Sequence, residues 1–256
     1  MKIVVFSVRR FLKYFLIMVA TVLIITLFSL TGMDVLGVFS DQREIPIYSV
    51  DMPDKVASIT FDCAWGADDI PDILTSLKNA DVRATFFIVG QWAEKYPEKV
   101  KMIAEDGHDV ANHSYSHLRM GSLGSAKAAG ELKDCGNLLE RLSGTKCDLF
   151  RAPFGEYSDT LIKEARRQGY YTVQWDVDSL DWRPGISQDE IVNRINTKVK
   201  NGSIILFHND TPHTAKILPS ILEALKNKGY GFLPVSKMIL RSDYYIDYEG
   251  RQKQME

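Results

Sequence analysis

Neither sign of charge dominates this chain, and cysteine is scarce. Across 256 residues, 31 Lys and Arg stand against 33 Asp and Glu, for a formal net charge of −2. Such a balance leaves no electrostatic footprint for a phosphate backbone, so nucleic acid is not an expected partner. The three cysteines, Cys63, Cys135 and Cys147, are too few for a disulfide scaffold. Cys135 and Cys147 could pair, but single buried thiols are the expected state of all three. Internal repeats and low-complexity tracts are missing. So are basic residues between Lys13 and Arg43.

The longest apolar run falls in that gap. From Tyr14 to Leu30 the chain is nearly unbroken Phe, Leu, Ile, Val, Met and Ala, preceded by Lys2, Arg9, Arg10 and Lys13. The positive-inside rule puts the start in the cytoplasm and the rest outside. A cleaved signal peptide has a shorter apolar region, about 7–15 residues, and a small-residue cleavage site. This run is longer and no Ala-x-Ala follows. The expected organisation is a cytoplasmic start and uncleaved single-pass anchor over 1–33, a linker over 34–54, an extracytoplasmic domain over 55–240 and a polar, solvated tail over 241–256.

Within that domain, strand and helix patterns alternate. Strand candidates are 56–61, 82–89, 108–111, 149–151, 170–177, 203–207 and 232–235. Helix candidates are 70–79, 93–105, 126–142, 158–168, 187–200 and 216–227. The alternation predicts an α/β fold with a parallel sheet covered by helices. About seven such units predict closure into a distorted (β/α)7 barrel, because parallel strands must be buried on both faces.

Polar residues gather where the strands end. Asp62 follows the first, His113 and His117 the third, and Arg151 ends the fourth. Asp176, Asp178 and Asp181 follow the fifth, and His208 the sixth. In a barrel all carboxyl ends open on one mouth, where active sites form. His113 and His117, four apart, would share one side of a helical turn at a spacing suited to one zinc-like ion. His108 and His213 fit no such cluster and read as surface or loop residues.

In order, Thr60-Phe61-Asp62, His113-Ser114-Tyr115-Ser116-His117, Arg151-Ala152-Pro153-Phe154-Gly155, Asp178-Ser179-Leu180-Asp181-Trp182 and Leu206-Phe207-His208 resemble the five motifs of polysaccharide deacetylases. These are the NodB-homology enzymes of carbohydrate esterase family 4, and the match spans roughly 56–239. The resemblance implies a hydrolase of non-peptide carbon–nitrogen bonds that removes acetyl groups from an acetylated polysaccharide, peptidoglycan or a chitin-like glycan. It implies a divalent metal, with zinc ahead of cobalt, nickel or manganese, on His113 and His117. Asp62 would be the general base, Arg151 its holder, His208 the general acid and Asp181 its partner. The backbone N–H of Phe154 would bind the oxyanion, and Trp182 and Leu206 would wall the acetyl pocket.

One position departs from the pattern. The family carries a second, metal-binding aspartate after the first, and here Cys63 stands there, as in a sporulation-deacetylase-like subgroup. Asp69 is the first candidate for the third ligand, ahead of Cys63 as thiolate, Asp68 or water. That change keeps a non-catalytic glycan-binding protein open as an alternative, and a hydrolase of a small non-sugar amide as another.

Overall fold

The computed structural model describes residues 8–30 and 43–255. The chain divides into two units, Met1–Arg43 and Glu44–Glu256. The first holds α1 (Val8–Leu30), where Thr21 and Thr26 return their hydroxyls to the carbonyls of Ile17 and Val22 at 2.8 and 2.9 Å. Those bonds satisfy the two threonine hydroxyls within the apolar stretch of the helix. Among the described residues no helix is long and apolar enough to cross a membrane. Residues 31–42, with the expected end of the anchor and the first part of the expected linker, lie outside the described residues.

The second unit is built on parallel strands. β1 (Ser49–Val50) precedes β2 (Val56–Cys63), β3 (Thr85–Ile88), β4 (Asp109–Asn112), β5 (Leu149–Phe150) and β6 (Tyr171–Thr172). Then come β7 (Val177–Asp178), β8 (Ser203–His208), β9 (Gly231–Phe232), β10 (Tyr244–Ile246) and β11 (Arg251–Gln254). Strands β2 through β6 pair in parallel in chain order, and β8 lies parallel on the other side of β2. Helices α2 (Ile70–Asn79), α3 (Gly90–Lys95), α4 (Pro97–Glu105), α5 (Ser125–Ser143), α6 (Asp159–Arg167), α7 (Gln188–Lys198), α8 (Thr214–Asn227) and the short α9 (Val235–Met238) complete it.

Local chemistry sets these bounds. Ser187 caps α7 in a reciprocal box with Glu190, and Ser158 caps α6. Gly144, at φ 69°, ends α5 in the left-handed conformation that a Cβ disfavours. The single helix expected over 93–105 is two. Pro97 opens α4, and Tyr96 before it is driven to φ −131°, ψ 54°, which breaks the run. The strand expected over 170–177 is also two. After β6 the chain leaves its neighbour β5, and β7 pairs with β8 instead. Asp176, in between, accepts from Ser203 Oγ and the Ile204 N–H at 2.8 Å each, so it belongs to the wall and not to the mouth.

The expected linker and tail need correction. Ile47 forms a parallel bridge with Val173, while Ser49 pairs with Ser203 of β8. Ile47 and Val50 are buried. The segment thus fills the gap between β6 and β8 and closes the barrel. Strand β11 pairs with β1, β10 pairs with β11, and the buried Gln252 amide exchanges two 2.9 Å hydrogen bonds with the backbone of Leu240. Alternation of apolar and polar residues is too weak in 244–254 to announce strands, and pairing with β1 supplies the order. His108 is likewise no surface residue. It is buried, accepts the Ala84 N–H at 3.1 Å, and has its pKa pushed down to about 4 by burial.

Side-chain parity sorts the core. Ile59, Phe61 and Cys63 of β2 and Ile205 and Phe207 of β8 pack on the helix-facing side. Phe87, Ala111 and Ile204 fall on the opposite side with Ile47, Val50 and Val173. Successive strand residues alternate faces, so Asp62 and His208, register partners across β2 and β8, share the inner one. Ending the chain at Asp243 should cost about 2–4 kcal/mol, since it strips paired backbone and the Gln252 clamp. The midpoint of thermal unfolding should fall by roughly 5–15 °C, whereas a solvated tail would leave it unchanged.

Candidate active site

At the carboxyl ends of the strands a cavity of about 510 Å³ is lined by Asp62, Trp65, His113, His117, Phe154, Trp175, Asp178, Trp182, Leu206 and His208. Arg151 and Asp181 stand directly behind it. The structure therefore brings together nine of the sequence-derived site residues, Asp62, His113, His117, Arg151, Phe154, Asp181, Trp182, Leu206 and His208. It leaves out Asp69.

Arg151 is 0% exposed and fully used. Its guanidinium donates to Asp62 Oδ1 at 2.6 Å, to Thr60 Oγ1 at 3.0 Å, and to the carbonyls of Gln174 and Val173 at 3.1 and 3.4 Å. Its face lies 3.9 Å from the centroid of the Phe87 ring. Burial pushes the Asp62 carboxyl up, but Arg151, His113 and His208 outweigh it and hold the pKa below the usual carboxylate value. Asp62 is an anion here.

His113 Nδ1 lies 2.9 Å from the Arg151 carbonyl oxygen. A carbonyl only accepts, so Nδ1 carries the proton and Nε2 presents a lone pair. That lone pair meets Asp62 Oδ2 at 3.4 Å. Burial lowers the His113 pKa, with the Asp62 charge opposing it. Burial, reinforced by His113, lowers that of His117 to about 4. Both imidazoles are neutral at neutral pH, which is the form that ligates a metal.

The two rings stand 5.1 Å apart, yet no helix carries them. Ser114 at φ 63° and His117 at φ 54° bend the segment into a left-handed loop. Glu131 on α5 holds it, accepting from the N–H groups of Tyr115 and Ser116 at 3.0 and 2.7 Å and from Ser116 Oγ at 3.0 Å. Phe154, at φ 60°, lays its ring 4.7 Å from that of His117. Leu180 and Asp210 also have positive φ. Non-glycine residues in this region are costly, and their concentration around one mouth marks a functional site.

His208 is set by Asp181. Nδ1 lies 2.8 Å from Asp181 Oδ1, while Oδ2 accepts the His208 N–H at 2.7 Å and the Thr214 hydroxyl at 2.6 Å. Burial pulls the His208 pKa down, and the bond and charge of Asp181 raise it past its ordinary value. A carboxyl with its pKa held low and an imidazole with its pKa raised thus sit on paired strands.

Neither of the two leading candidates for a third metal ligand lines the cavity. Cys63 is 0% exposed and faces the helices, and burial raises its thiol pKa far above the ordinary value. Asp69 accepts the Asp210 N–H at 2.8 Å and lies outside the cavity lining. Among the described residues no group of three His, Cys, Asp or Glu side chains is arranged to hold a metal ion. Two neutral imidazoles beside a carboxylate, acceptor facing acceptor, still fit a divalent cation bound through the imidazole pair. The sequence motifs passed over Trp65, Trp175 and Glu131. Trp65 could have been flagged by its place two residues past a strand end, whereas Glu131 sits mid-helix with no local signal. The three cysteines are free and buried, as expected.

A family model described as polysaccharide deacetylase matches residues 49–173. A peptidoglycan-N-acetylglucosamine deacetylase of Bacillus cereus is 36% identical over 190 residues, covering 72% of this chain and 68% of the relative. Among solved structures, a family 4 carbohydrate esterase from Streptomyces lividans in complex with acetate is 34% identical with a TM-score of 0.65, covering 69% of this chain and 90% of that one. A CE4 family pseudoenzyme from Bacillus anthracis is 30% identical with a TM-score of 0.74, covering 84% and 74%.

Removing one partner of a buried ion pair strands the other. Arg151→Met should destabilise the fold by about 3–5 kcal/mol. Adding Asp62→Asn should recover part of that loss, which chemical denaturation of the single and double variants would read as a coupling.

Proposed function

Because the chain belongs to the polysaccharide deacetylase family, we propose that it hydrolyses acetyl groups, as N-acetyl, from a cell-envelope polysaccharide such as peptidoglycan. The observation that carries this reading is the opposed pair, Asp62 bonded to Arg151 and His208 bonded to Asp181, facing one cavity from neighbouring strands. Amide hydrolysis needs both: water must lose a proton as it adds to the carbonyl, and nitrogen must gain one as it leaves.

Asp62 takes the proton from water. Arg151 fixes one carboxylate oxygen and leaves Oδ2 turned to the His113 side of the cavity. The backbone N–H of Phe154 meets the developing oxyanion, and preorganised donors of this kind contribute strongly. His208 donates to the departing amine, oriented through Nδ1 by Asp181. Trp182 and Leu206 wall the acetyl methyl. A divalent ion, zinc by ligand type, would be held by His113 and His117 and would supply bound water of lowered pKa and a polarised carbonyl. With no third protein ligand its affinity should be modest. The products are acetate and a free amine on the sugar.

A second reading, a glycan binder without catalysis, is favoured by Cys63 in place of a ligand and by the likeness to a pseudoenzyme. The retained acid and base argue against it, since a binder needs neither. A small non-sugar amide fits the chemistry less well, since a polymer suits an open mouth and a membrane location. That location is itself part of the proposal. The Tyr14–Leu30 run, with Arg9, Arg10 and Lys13 before it, supports a single-pass anchor with the domain outside.

Acetate release from N-acetylglucosamine oligomers or peptidoglycan tests the activity. Asp62→Asn and His208→Ala should each slow it about 10²–10⁴-fold, and equal rates in all three proteins would sink the proposal. The pH profile has a stated direction. Asp62 is ionised from below its ordinary value upward, and His208 keeps its proton past the ordinary histidine value. Activity should therefore span the acid-to-neutral range and fall on the alkaline side as His208 loses its proton. Asp181→Asn should move that alkaline limb of kcat/KM toward lower pH.

A further inference from the structure

Trp65 stands at the mouth with no part in the acid–base chemistry. It is 52% exposed, although an indole is costly to leave in water. Its ring centroid lies 6.1 Å from that of His117 and 5.9 Å from that of His208, so it spans the opening between the imidazole pair and the acid. Trp182 and Phe154, also exposed, line the same cavity.

The backbone beside Trp65 is clamped. The Gly66 N–H donates to Asp210 Oδ2 at 2.9 Å. The Gly66 carbonyl accepts from Trp92 Nε1 at 2.8 Å and from Asn209 Nδ2. The Asp210 N–H in turn donates to Asp69 Oδ2. These bonds join the loop after β2 to the loop after β8, the two strands whose ends carry Asp62 and His208. A Cβ at Gly66 would come within 2.6–2.7 Å of the Asp210 carboxyl group, so the clamp itself requires glycine there. An exposed aromatic on a clamped loop is preorganised to stack, because little side-chain or loop entropy remains to be lost on binding.

We propose that Trp65 is the stacking platform for a pyranose ring, holding an acetylated glycan across the mouth so that its acetyl group enters between His117, His208 and Trp182. The inference rests on the deacetylase reading for its ligand class. A gluco-configured pyranose carries its hydroxyls at the edge and C–H groups on its faces. It therefore offers a flat indole an apolar surface while its polar rim stays in water. A small amide has no such face and would gain nothing from Trp65.

The test is binding, which needs no turnover. Full-length chain in mild detergent, with chelator present to suppress hydrolysis, is titrated with chitotetraose and with solubilised peptidoglycan strands, and Kd is read by calorimetry. Trp65→Ala should weaken binding roughly tenfold or more. Trp65→Phe, which keeps a ring, should recover most of it, and unchanged melting of both variants would exclude misfolding. Equal affinity of wild type and Trp65→Ala, failure of Trp65→Phe to rescue, or no binding of wild type to either glycan would overturn the inference. Glycan binding that depends on Trp65 without any acetate release with metal restored would leave the platform standing and sink the hydrolytic reading instead.

Discussion

A guanidinium sealed from water is the member on which this site depends. Arg151 reaches from the end of β5 to Asp62 and Thr60 on β2 and to two carbonyls just past β6. It closes the inner space of the barrel above Phe87. A buried charge of this kind is tolerable only when its donors are matched and its countercharge is close. The match has a chemical consequence. It keeps Asp62 ionised in a place where burial alone would protonate it. It also spends Oδ1, so only Oδ2 remains to act. His113 is drawn into the same unit, because its Nδ1 proton is claimed by the carbonyl of Arg151 itself. One residue thereby sets the charge of Asp62, its free oxygen and the tautomer of His113.

Strand parity explains why the substitution at position 63 is structurally silent and chemically large. A residue directly after Asp62 on a regular strand must face the helices, and Cys63 does, packed among apolar side chains. A small, weakly polar side chain suits that place. A carboxylate could serve as a ligand there only if the strand ended or twisted one residue earlier. The ladder instead continues through Cys63, paired with Ile88. In the proposed site the metal donors would then be the two imidazoles of His113 and His117 alone. Under the proposed function, metal affinity is the property such a change would alter first, and the Asp62–Arg151 and His208–Asp181 pairs are untouched by it.

Much of this was legible in the chain. The spacing of strand and helix patterns located the barrel, and the rule that chemistry gathers at carboxyl ends of strands located the mouth. Misreadings came where tertiary pairing overrode local pattern. Residues 45–50 and 244–254 lack strong periodicity and gain strand geometry from each other and from β8. The His113–His117 spacing suggested a helix, and Glu131, eighteen residues beyond His113, makes it a loop. Asp69 ranks ahead of Cys63 in the sequence because a residue just after a buried strand can point away from the mouth, as Cys63 does. One Asp69 oxygen, Oδ2, is taken by the Asp210 backbone, a demand that exists only once β2 and β8 lie side by side.

That adjacency also ties recognition to catalysis. The loops after β2 and β8 cannot move independently, because Gly66, Asp69, Asn209 and Asp210 bind them together. Asp62 lies four residues before Gly66, and His208 immediately before Asn209. A ligand pressing on Trp65 therefore bears on the same backbone that aims base and acid. The Asn209 N–H also reaches back to the Asp62 carbonyl at 3.4 Å. Any shift of the indole large enough to admit a differently shaped sugar must break this clamp or carry both reacting groups with it. Under the proposed hydrolysis, tolerance for substrate shape at this mouth is thus limited by the geometry that its proton transfers require.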